Sequence, residues 1–205
     1  MLLQQARVNK TIGIVFYFQG QYEQSLLSYQ AALDYFQQQP FSAEIAIKQA
    51  NLLNNIALVQ TSQGDAVAAL KSYQQAEPLY QRYGDEVDKI DVRYNLAVLY
   101  ISLRRFDIAI SMLKDVIAKR EVIGDDYGVA QASGDLGVSY KHSGQYQQAE
   151  QYLSKAIAIR NKYERELEEI RSSLELVKVY FATNQDEKAY SILMQAIDKI
   201  IVFLH

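Results

Sequence analysis

The chain has 205 residues, and its 21 basic and 24 acidic side chains give a formal net charge of −3. This balance gives no reason to expect a nucleic acid or an anionic membrane surface as a partner. The absence of cysteine excludes disulfides, thiol nucleophiles and cysteine metal sites, and it is compatible with either the cytoplasm or the periplasm. The start lacks a signal-peptide core, so we expect a cytoplasmic protein, or a periplasmic one if a signal sequence lies upstream. We also expect no membrane insertion, because the longest apolar run, 12–18, is far below the roughly 20 residues that span a bilayer.

A fourteen-residue segment recurs along the chain. It begins at Gly20 as GQYEQSLLSYQAAL and at Gly144 as GQYQQAEQYLSKAI, and looser copies begin at Gly64, Arg104 and Asn184. The five starts are 44, 40, 40 and 40 residues apart. A fixed period in this range indicates stacked units that each contact only their neighbours. We therefore predict one array over 1–205, with repeats at about 2–41, 42–84, 85–124, 125–164 and 165–205.

Each unit is predicted to contain two helices, because its apolar residues recur at three- and four-residue intervals. The glycines of the breaks at Gly84 and Gly124 are expected to adopt the left-handed conformation that ends a helix, and Asp85 and Asp125 to cap the next helix. Pro78 should kink the second helix of its unit or end it early. In chain order, we place helices at 2–18, 22–38, 43–62, 66–82, 86–103, 106–122, 127–143, 146–163, 166–183 and 186–204.

Small residues recur seven positions before each turn residue, five after it and twelve after it. Small side chains at such positions let two helix axes approach to the short end of the usual range of about 8–10 Å. The three sets are Gly13, Ala57, Ala97, Gly137 and Val177; Ser25, Ala69, Ala109, Ala149 and Ala189; and Ala32, Ala76, Val116, Ala156 and Ala196.

The combined pattern, L-G/A-x-x-Y and then G-x-Y-x-x-A with a further small residue seven later, resembles that of the tetratricopeptide repeat (TPR). A clear match runs from Leu136 to Tyr140 and continues through Gly144, Tyr146 and Ala149. The units are longer than the common 34-residue form and are similar to the repeats of kinesin light chain and of bacterial regulatory proteins. The resemblance implies an all-α, right-handed superhelical α-solenoid of five antiparallel helix pairs.

The resemblance also implies a binding groove on the concave surface that the first helices of the repeats line. Its apolar and aromatic side chains are candidate anchors, and Asn51, Asn54 and Asn55 are candidates to hydrogen-bond a peptide backbone. An alternative for Tyr17 and Tyr94 is packing against the next repeat. The candidate groove residues are Arg7, Lys10, Ile14, Tyr17, Phe18, Asn51, Asn54, Asn55, Leu58, Thr61, Tyr94, Val98, Ile101, Lys141 and His142.

Chaperone-binding members of this family hold a peptide's terminal carboxylate with Lys, Asn and Arg side chains. Lys10 and Asn55 match that set, but Ile14, Asp91 and Asn95 stand where Asn, Lys and Arg would be required. Because an acid at Asp91 would repel a carboxylate, we expect no such clamp.

An enzyme is not expected, because nucleophilic and zinc chemistry need clusters of Cys or His with orienting carboxylates. The only histidines are His142, expected to be solvated or capping, and His205. Among the paired acids, Asp125 and Asp126 are expected to begin a helix, and Glu168 and Glu169 to belong to an exposed face on which Arg165 pairs with Glu169. We therefore predict no catalytic, cofactor or metal site.

These observations favour a protein- or peptide-binding scaffold, expected to be the regulatory or interaction arm of a larger bacterial signalling protein. Two alternatives remain: a sensory domain that binds a small ligand and passes a shape change to an output domain, and a structural homo-oligomer. The apolar end of the last helix, Ile200 to Leu204, leaves a face that we expect another subunit or a further part of a longer chain to cover.

Overall fold

The computed structural model describes residues 2–203. This part of the chain contains ten α-helices and no strand, and every helix boundary lies within one residue of its predicted position; the predicted last residue of the final helix, Leu204, lies outside the described residues. In chain order the helices are α1 (Leu2–Phe18), α2 (Tyr22–Gln37), α3 (Ala43–Gln63), α4 (Ala66–Tyr83), α5 (Glu86–Ser102), α6 (Phe106–Val122), α7 (Asp126–His142), α8 (Tyr146–Lys162), α9 (Glu166–Ala182) and α10 (Asp186–Phe203).

The chain forms two compact units, Met1–Leu103 with α1 to α5 and Arg104–His205 with α6 to α10. Within each unit every helix packs on its neighbour in the chain. In addition, α3 contacts α5 in the first unit, and α7 contacts α9 in the second. The boundary between the units lies inside the third predicted repeat, and the single array over 1–205 stays a prediction.

All five predicted turn residues have a positive φ, between 55° and 82°. Gly124 also has the predicted left-handed conformation, with φ of 72°. The same prediction is wrong for Gly84, whose φ of −78° and ψ of 158° are those of extended backbone. Glycine is needed there for space, because a Cβ atom would lie 2.7 Å from the carbonyl oxygen of Tyr80.

The predicted aspartate caps are confirmed. The Asp85 carboxylate accepts from the backbone N–H of Asp88 at 2.8 Å, and Asp88 accepts from that of Asp85 at 3.3 Å, which completes a capping box. Asp125 accepts from the backbone N–H of Gly128 at 2.8 Å. Of the two outcomes predicted for Pro78, an early helix end is wrong, because α4 continues to Tyr83, and a kink stays a prediction. Burial of α4 residues on both sides of the proline stabilises the helix beyond the lost hydrogen bond.

The small residues bring paired helices close together, as predicted. Ala57 and Ala149 are fully buried, and a Cβ atom on Gly137 would lie 2.6 Å from Cγ of Leu153 in the next helix. Ser25 replaces alanine in this pattern because its hydroxyl donates to the carbonyl oxygen of Gly13 at 2.7 Å. The first helix of a pair therefore has a fixed position against the second.

Candidate functional site

Most of the predicted groove residues lie on three helices of the first unit. Lys141 and His142 lie in the second unit. We call the first-unit set the α1/α3/α5 face: Arg7, Lys10, Ile14, Tyr17, Phe18, Asn51, Asn54, Asn55, Leu58, Thr61, Tyr94, Val98 and Ile101.

Two hydrogen bonds connect the three helices of this face. The hydroxyls of Tyr17 in α1 and Ser62 in α3 lie 3.3 Å apart. Nδ2 of Asn95 in α5 donates to Oδ1 of Asn54 in α3 at 3.0 Å. The first unit therefore brings side chains from α1, α3 and α5 together, although they lie about 40 residues apart in the sequence.

The apolar side chains of the face differ in exposure. Phe18 is 81% exposed, and its ring makes an edge contact with Tyr17 at a centroid distance of 5.5 Å. Tyr17, Leu58 and Tyr94 are half-buried. Because Tyr17 bonds to a side chain of the next predicted repeat, it has a packing role in addition to any role in binding.

The asparagines of the face are partly engaged within the chain. Oδ1 of Asn51 accepts from the hydroxyl of Tyr80 at 2.7 Å, and Oδ1 of Asn54 accepts from Asn95. Burial, followed by the nearby charges of Asp88 and Asp91, raises the pKa of Tyr80, so this hydroxyl keeps its proton. The side-chain amides of Asn51 and Asn54 still have NH₂ groups that can donate to a peptide carbonyl.

Lys141 is part of an ion-paired group in the second unit. It contacts Glu175 of α9, which also accepts from Nζ of Lys178 at 2.6 Å. Burial acts to raise the pKa of Glu175, but the hydrogen bonds from the two lysines outweigh it and the pKa lies below its ordinary value. Lys141 therefore links α7 to α9.

His142 stacks on the ring of Phe106, with centroids 5.0 Å apart and planes 7° apart. Burial lowers the pKa of His142, and the nearby charge of Lys141 lowers it further. The neutral imidazole is therefore favoured. Its exposed place at the end of α7 agrees with the solvated histidine expected from the sequence.

The second unit also has an open cleft of about 500 Å³ that the sequence pattern did not indicate. It lies between the loops that precede α7 and α9, and its lining residues are Gly124, Asp125, Asp126, Tyr127, Tyr163, Glu164 and Arg165. A tyrosine lies beside charged residues in both places, Tyr127 at the start of α7 and Tyr163 directly after α8, and this is the signal that sequence reasoning missed.

The polar groups of this cleft already bind one another. The hydroxyl of Tyr163 donates to Oδ2 of Asp126 at 2.6 Å, and Nζ of Lys162 lies 3.3 Å from the same oxygen. The hydrogen bond from Tyr163 is the main reason why the pKa of Asp126 is lowered. The guanidinium of Arg165 lies over the ring of Tyr127, 5.6 Å from its centroid.

The prediction that Glu168 and Glu169 belong to an exposed, ion-paired face is wrong for Glu169. That residue is only 7% exposed, and its carboxylate pairs with Lys199 of α10. The i,i+4 spacing indicated Arg165 as its partner, but α10 packs on α9 and covers Glu169. Arg165 lies over Tyr127 instead.

Residues 2–203 contain no group of three or more His, Cys, Asp or Glu side chains placed to hold a metal ion. No helix within this range combines the length and the apolar character needed to cross a membrane.

A profile of the tetratricopeptide repeat matches residues 48–121 and 128–199, which together make up more than half of the chain. The chain belongs to the tetratricopeptide repeat family. This membership confirms the resemblance drawn from the sequence motifs. No curated protein matches this chain significantly.

Solved structures show that the TPR chain shares its fold with distant relatives. A putative kinesin light chain TPR-like repeat protein of Podosopora anserina is 17% identical with a TM-score of 0.80, covering 97% of this chain and 96% of that one. Aspartyl phosphate phosphatase F of Bacillus subtilis is 13% identical with a TM-score of 0.81, covering 95% of this chain and 50% of that one. The Rap conjugation gene regulator of plasmid pLS20, solved in complex with the Phr* peptide, is 17% identical with a TM-score of 0.73, covering 95% and 53%. These similarities confirm the predicted fold class, an all-α TPR-like solenoid.

Proposed function

We propose that the α1/α3/α5 face binds an extended segment of a partner protein or a peptide. The observation that carries this proposal is the pair of hydrogen bonds, Tyr17 with Ser62 and Asn95 with Asn54, which join side chains of three successive first helices. TPR chains are used as protein-interaction scaffolds, and a face that crosses several repeats suits a ligand that is itself extended.

The chemistry of the face suggests what the segment contains. Phe18 is an exposed aromatic anchor, and truncation of such anchors is typically costly at interfaces. Asn51 and Asn54 donate from their amides to backbone carbonyls of the ligand. Arg7 and Lys10 on α1 are exposed cations, whereas Asp91 on α5 is an exposed acid. An internal segment of the partner fits this arrangement if it has one apolar side chain for Phe18 and acidic residues in the part that lies near α1.

A free terminal carboxylate fits the face less well. Asp91 stands at the position where the chaperone-binding members of the family place a lysine, and its charge would oppose that of the carboxylate. Asn95 replaces the arginine and already bonds to Asn54. The absence of a carboxylate clamp therefore remains our prediction.

Peptide selection followed by titration tests the proposal. Peptides selected from a random display library against the protein would be titrated by calorimetry into the parent, Phe18→Ala and Asn54→Ala. We expect each substitution to weaken binding at least about tenfold while the helical content stays unchanged. The control is Val122→Ala, which alters a residue that is 86% exposed in the second unit and should leave affinity unchanged. Parental affinity in both test variants would place the site elsewhere.

The second candidate function is a small-ligand sensory domain, and the cleft between Tyr127 and Tyr163 favours it. Its volume of about 500 Å³ is that of a metabolite site, and it includes two tyrosines and several charged groups. A ligand that bonds to Asp126 there would compete with Tyr163 and Lys162 for its carboxylate. A thermal-shift screen of metabolites with the parent and Tyr127→Ala distinguishes the two functions, because a sensory ligand would stabilise only the parent.

We propose a cytoplasmic location and a regulatory role, as part of a larger bacterial signalling protein. The support for a regulatory role within a larger protein is that this chain shares its fold with part of the Rap regulator and of the phosphatase and spans about half the length of each. Catalysis by this chain is not part of the proposal, because the residues of the α1/α3/α5 face include no nucleophile paired with a base.

A further inference from the structure

Helix α1 exposes an apolar stripe at positions that are buried in the later first helices. Val8, Ile12 and Val15 are 48%, 39% and 49% exposed. They lie twelve, eight and five residues before the turn residue Gly20. The equivalent residues are at most 5% exposed where α3 packs on α2 and α5 packs on α4: they are Leu52, Ile56, Val59, Val92, Leu96 and Leu99.

Helix α10 exposes the complementary positions of a second helix. Ile197 and Ile200, thirteen and sixteen residues after the turn residue Asn184, are 38% and 39% exposed. In the first repeat the same two positions are Leu33 and Phe36, which are 3% and 4% exposed on α2, the helix on which α3 packs. Helix α1 therefore has the first-helix side of a repeat-to-repeat interface, and α10 has the second-helix side.

Two further residues of α10 are apolar where the earlier repeats are polar. Met194 and Ile201 are 56% and 50% exposed. Their equivalents are all polar: Gln30, Gln74, Lys114 and Ser154 for Met194, and Gln37, Gln81, Glu121 and Asn161 for Ile201. If a further repeat like the earlier ones packed on α10, polar residues would suffice at these two positions, as they do in the earlier repeats.

The internal interface of the first unit shows what these positions face. Gln30 and Gln37 of α2 line a cavity of about 340 Å³ whose other residues include Lys71 of α4. In the first repeat the position of Lys71 is taken by Leu27, which is 71% exposed, whereas later repeats have Ser111, Gln151 and Ser191. The polar residues of this interface are therefore replaced by apolar ones at both ends, and at matching positions.

The charges of the two end helices are also complementary. Helix α1 has Arg7 and Lys10 and no acidic residue. Both lysines of α10 are engaged, because Lys199 pairs with Glu169 and Lys188 lies 3.9 Å from Glu150. The acids Asp186, Glu187 and Asp198 then dominate the charge of α10.

We propose that α10 of one copy packs against α1 and α2 of a second copy, in the arrangement with which α2 packs against α3 and lines a common cavity with α4. Met194 and Ile201 then face Leu27 of the neighbour, and Ile197 and Ile200 cover its stripe of Val8, Ile12 and Val15. The two surfaces differ, so the contact is heterologous and leaves one free surface of each kind on every dimer. The protein accordingly adds further copies end to end.

Sedimentation velocity over a wide concentration range tests this assembly. The parent is compared with a tail variant, Met194→Lys/Ile201→Lys, and a head variant, Val8→Lys/Leu27→Lys. All four positions are at least 48% exposed, so both variants should keep the parental circular dichroism and thermal midpoint. The control is Val67→Lys, because Val67 is 84% exposed and lies on α4, a helix that supplies no residue to either proposed surface.

We expect the mass of the parent and the control to rise beyond that of a dimer with concentration. Each double variant should stay monomeric, with a dissociation constant raised at least about tenfold. An equal mixture of the two variants should form a dimer and stop there, because it contains one intact surface of each kind. The proposal is overturned if the parent stays monomeric, if the head variant associates as the parent does, or if the mixture forms no dimer.

Discussion

Two glycines of helix α7 should respond in opposite ways to the same substitution. A Cβ atom on Gly137 would lie 2.6 Å from Cγ of Leu153 and 3.1 Å from its backbone nitrogen, about 1 Å inside normal contact in the first case. A Cβ atom on Gly134 would lie 3.3 Å from the guanidinium nitrogens of Arg160 and 3.6 Å from the hydroxyl of Ser172. Relief at Gly134 needs the end of the arginine side chain to shift by only a few tenths of an ångström, whereas relief at Gly137 needs Leu153 and the backbone of α8 to move further.

Alanine has a higher helix propensity than glycine, by about 1 kcal/mol in both places. Gly134→Ala should therefore raise the free energy of unfolding by up to about 1 kcal/mol. Gly137→Ala gains the same amount but also overpacks the α7/α8 contact, which costs about 1–3 kcal/mol. Because the gain in helix propensity is the same in both variants, the difference between their free energies of unfolding measures the cost of overpacking.

Urea denaturation followed by circular dichroism measures both free energies of unfolding. We expect Gly134→Ala to be more stable than Gly137→Ala by about 1–3 kcal/mol, with equal denaturant dependence. If Gly137→Ala proved as stable as Gly134→Ala, the close approach of α7 and α8 at Leu153 would be refuted.

Three further substitutions in the second unit, one of them compared with a substitution in the first unit, test other contacts by the same denaturation assay. Ala149→Leu, at a fully buried position, should cost about 1–3 kcal/mol by overpacking, and parental stability would contradict the predicted packing code. Glu175→Gln should be less stable than the parent at neutral pH. Because the folded pKa of Glu175 is lowered, the deficit is present above its ordinary value of 4.5 and should vanish as the pH falls further; a pH-independent deficit would contradict the ion pairs. Asp125→Ala removes a cap and one ion-pair partner of the buried Arg120, so it should cost more than Asp65→Ala, which removes a cap alone at about 1 kcal/mol.

Helix boundaries were predictable because they depend on short-range physics. The turn residues Gly20, Gly64 and Gly144 recur at a fixed period and adopt the left-handed conformation that a missing Cβ favours. The aspartate caps act over three residues, so Asp85 and Asp125 could be identified without knowing the fold. The same kind of reasoning failed at Gly84, where the reason for glycine is a close approach to the carbonyl oxygen of Tyr80.

The sequence by itself therefore determined the repeat, the helix order and the family, since periodicity and small-residue spacing are written into the chain. Only the tertiary structure decided which partner each polar side chain has: Asn54 bonds to Asn95, Lys141 pairs with Glu175, and Glu169 is covered by Lys199. These partners lie 30 or more residues apart, and helical spacing indicates the face of a residue but not the atom opposite it. The exposure of the α1 stripe was decided in the same way, because a stripe is buried or free according to whether another helix packs on it, whereas the uncovered apolar face of α10 was expected from the sequence.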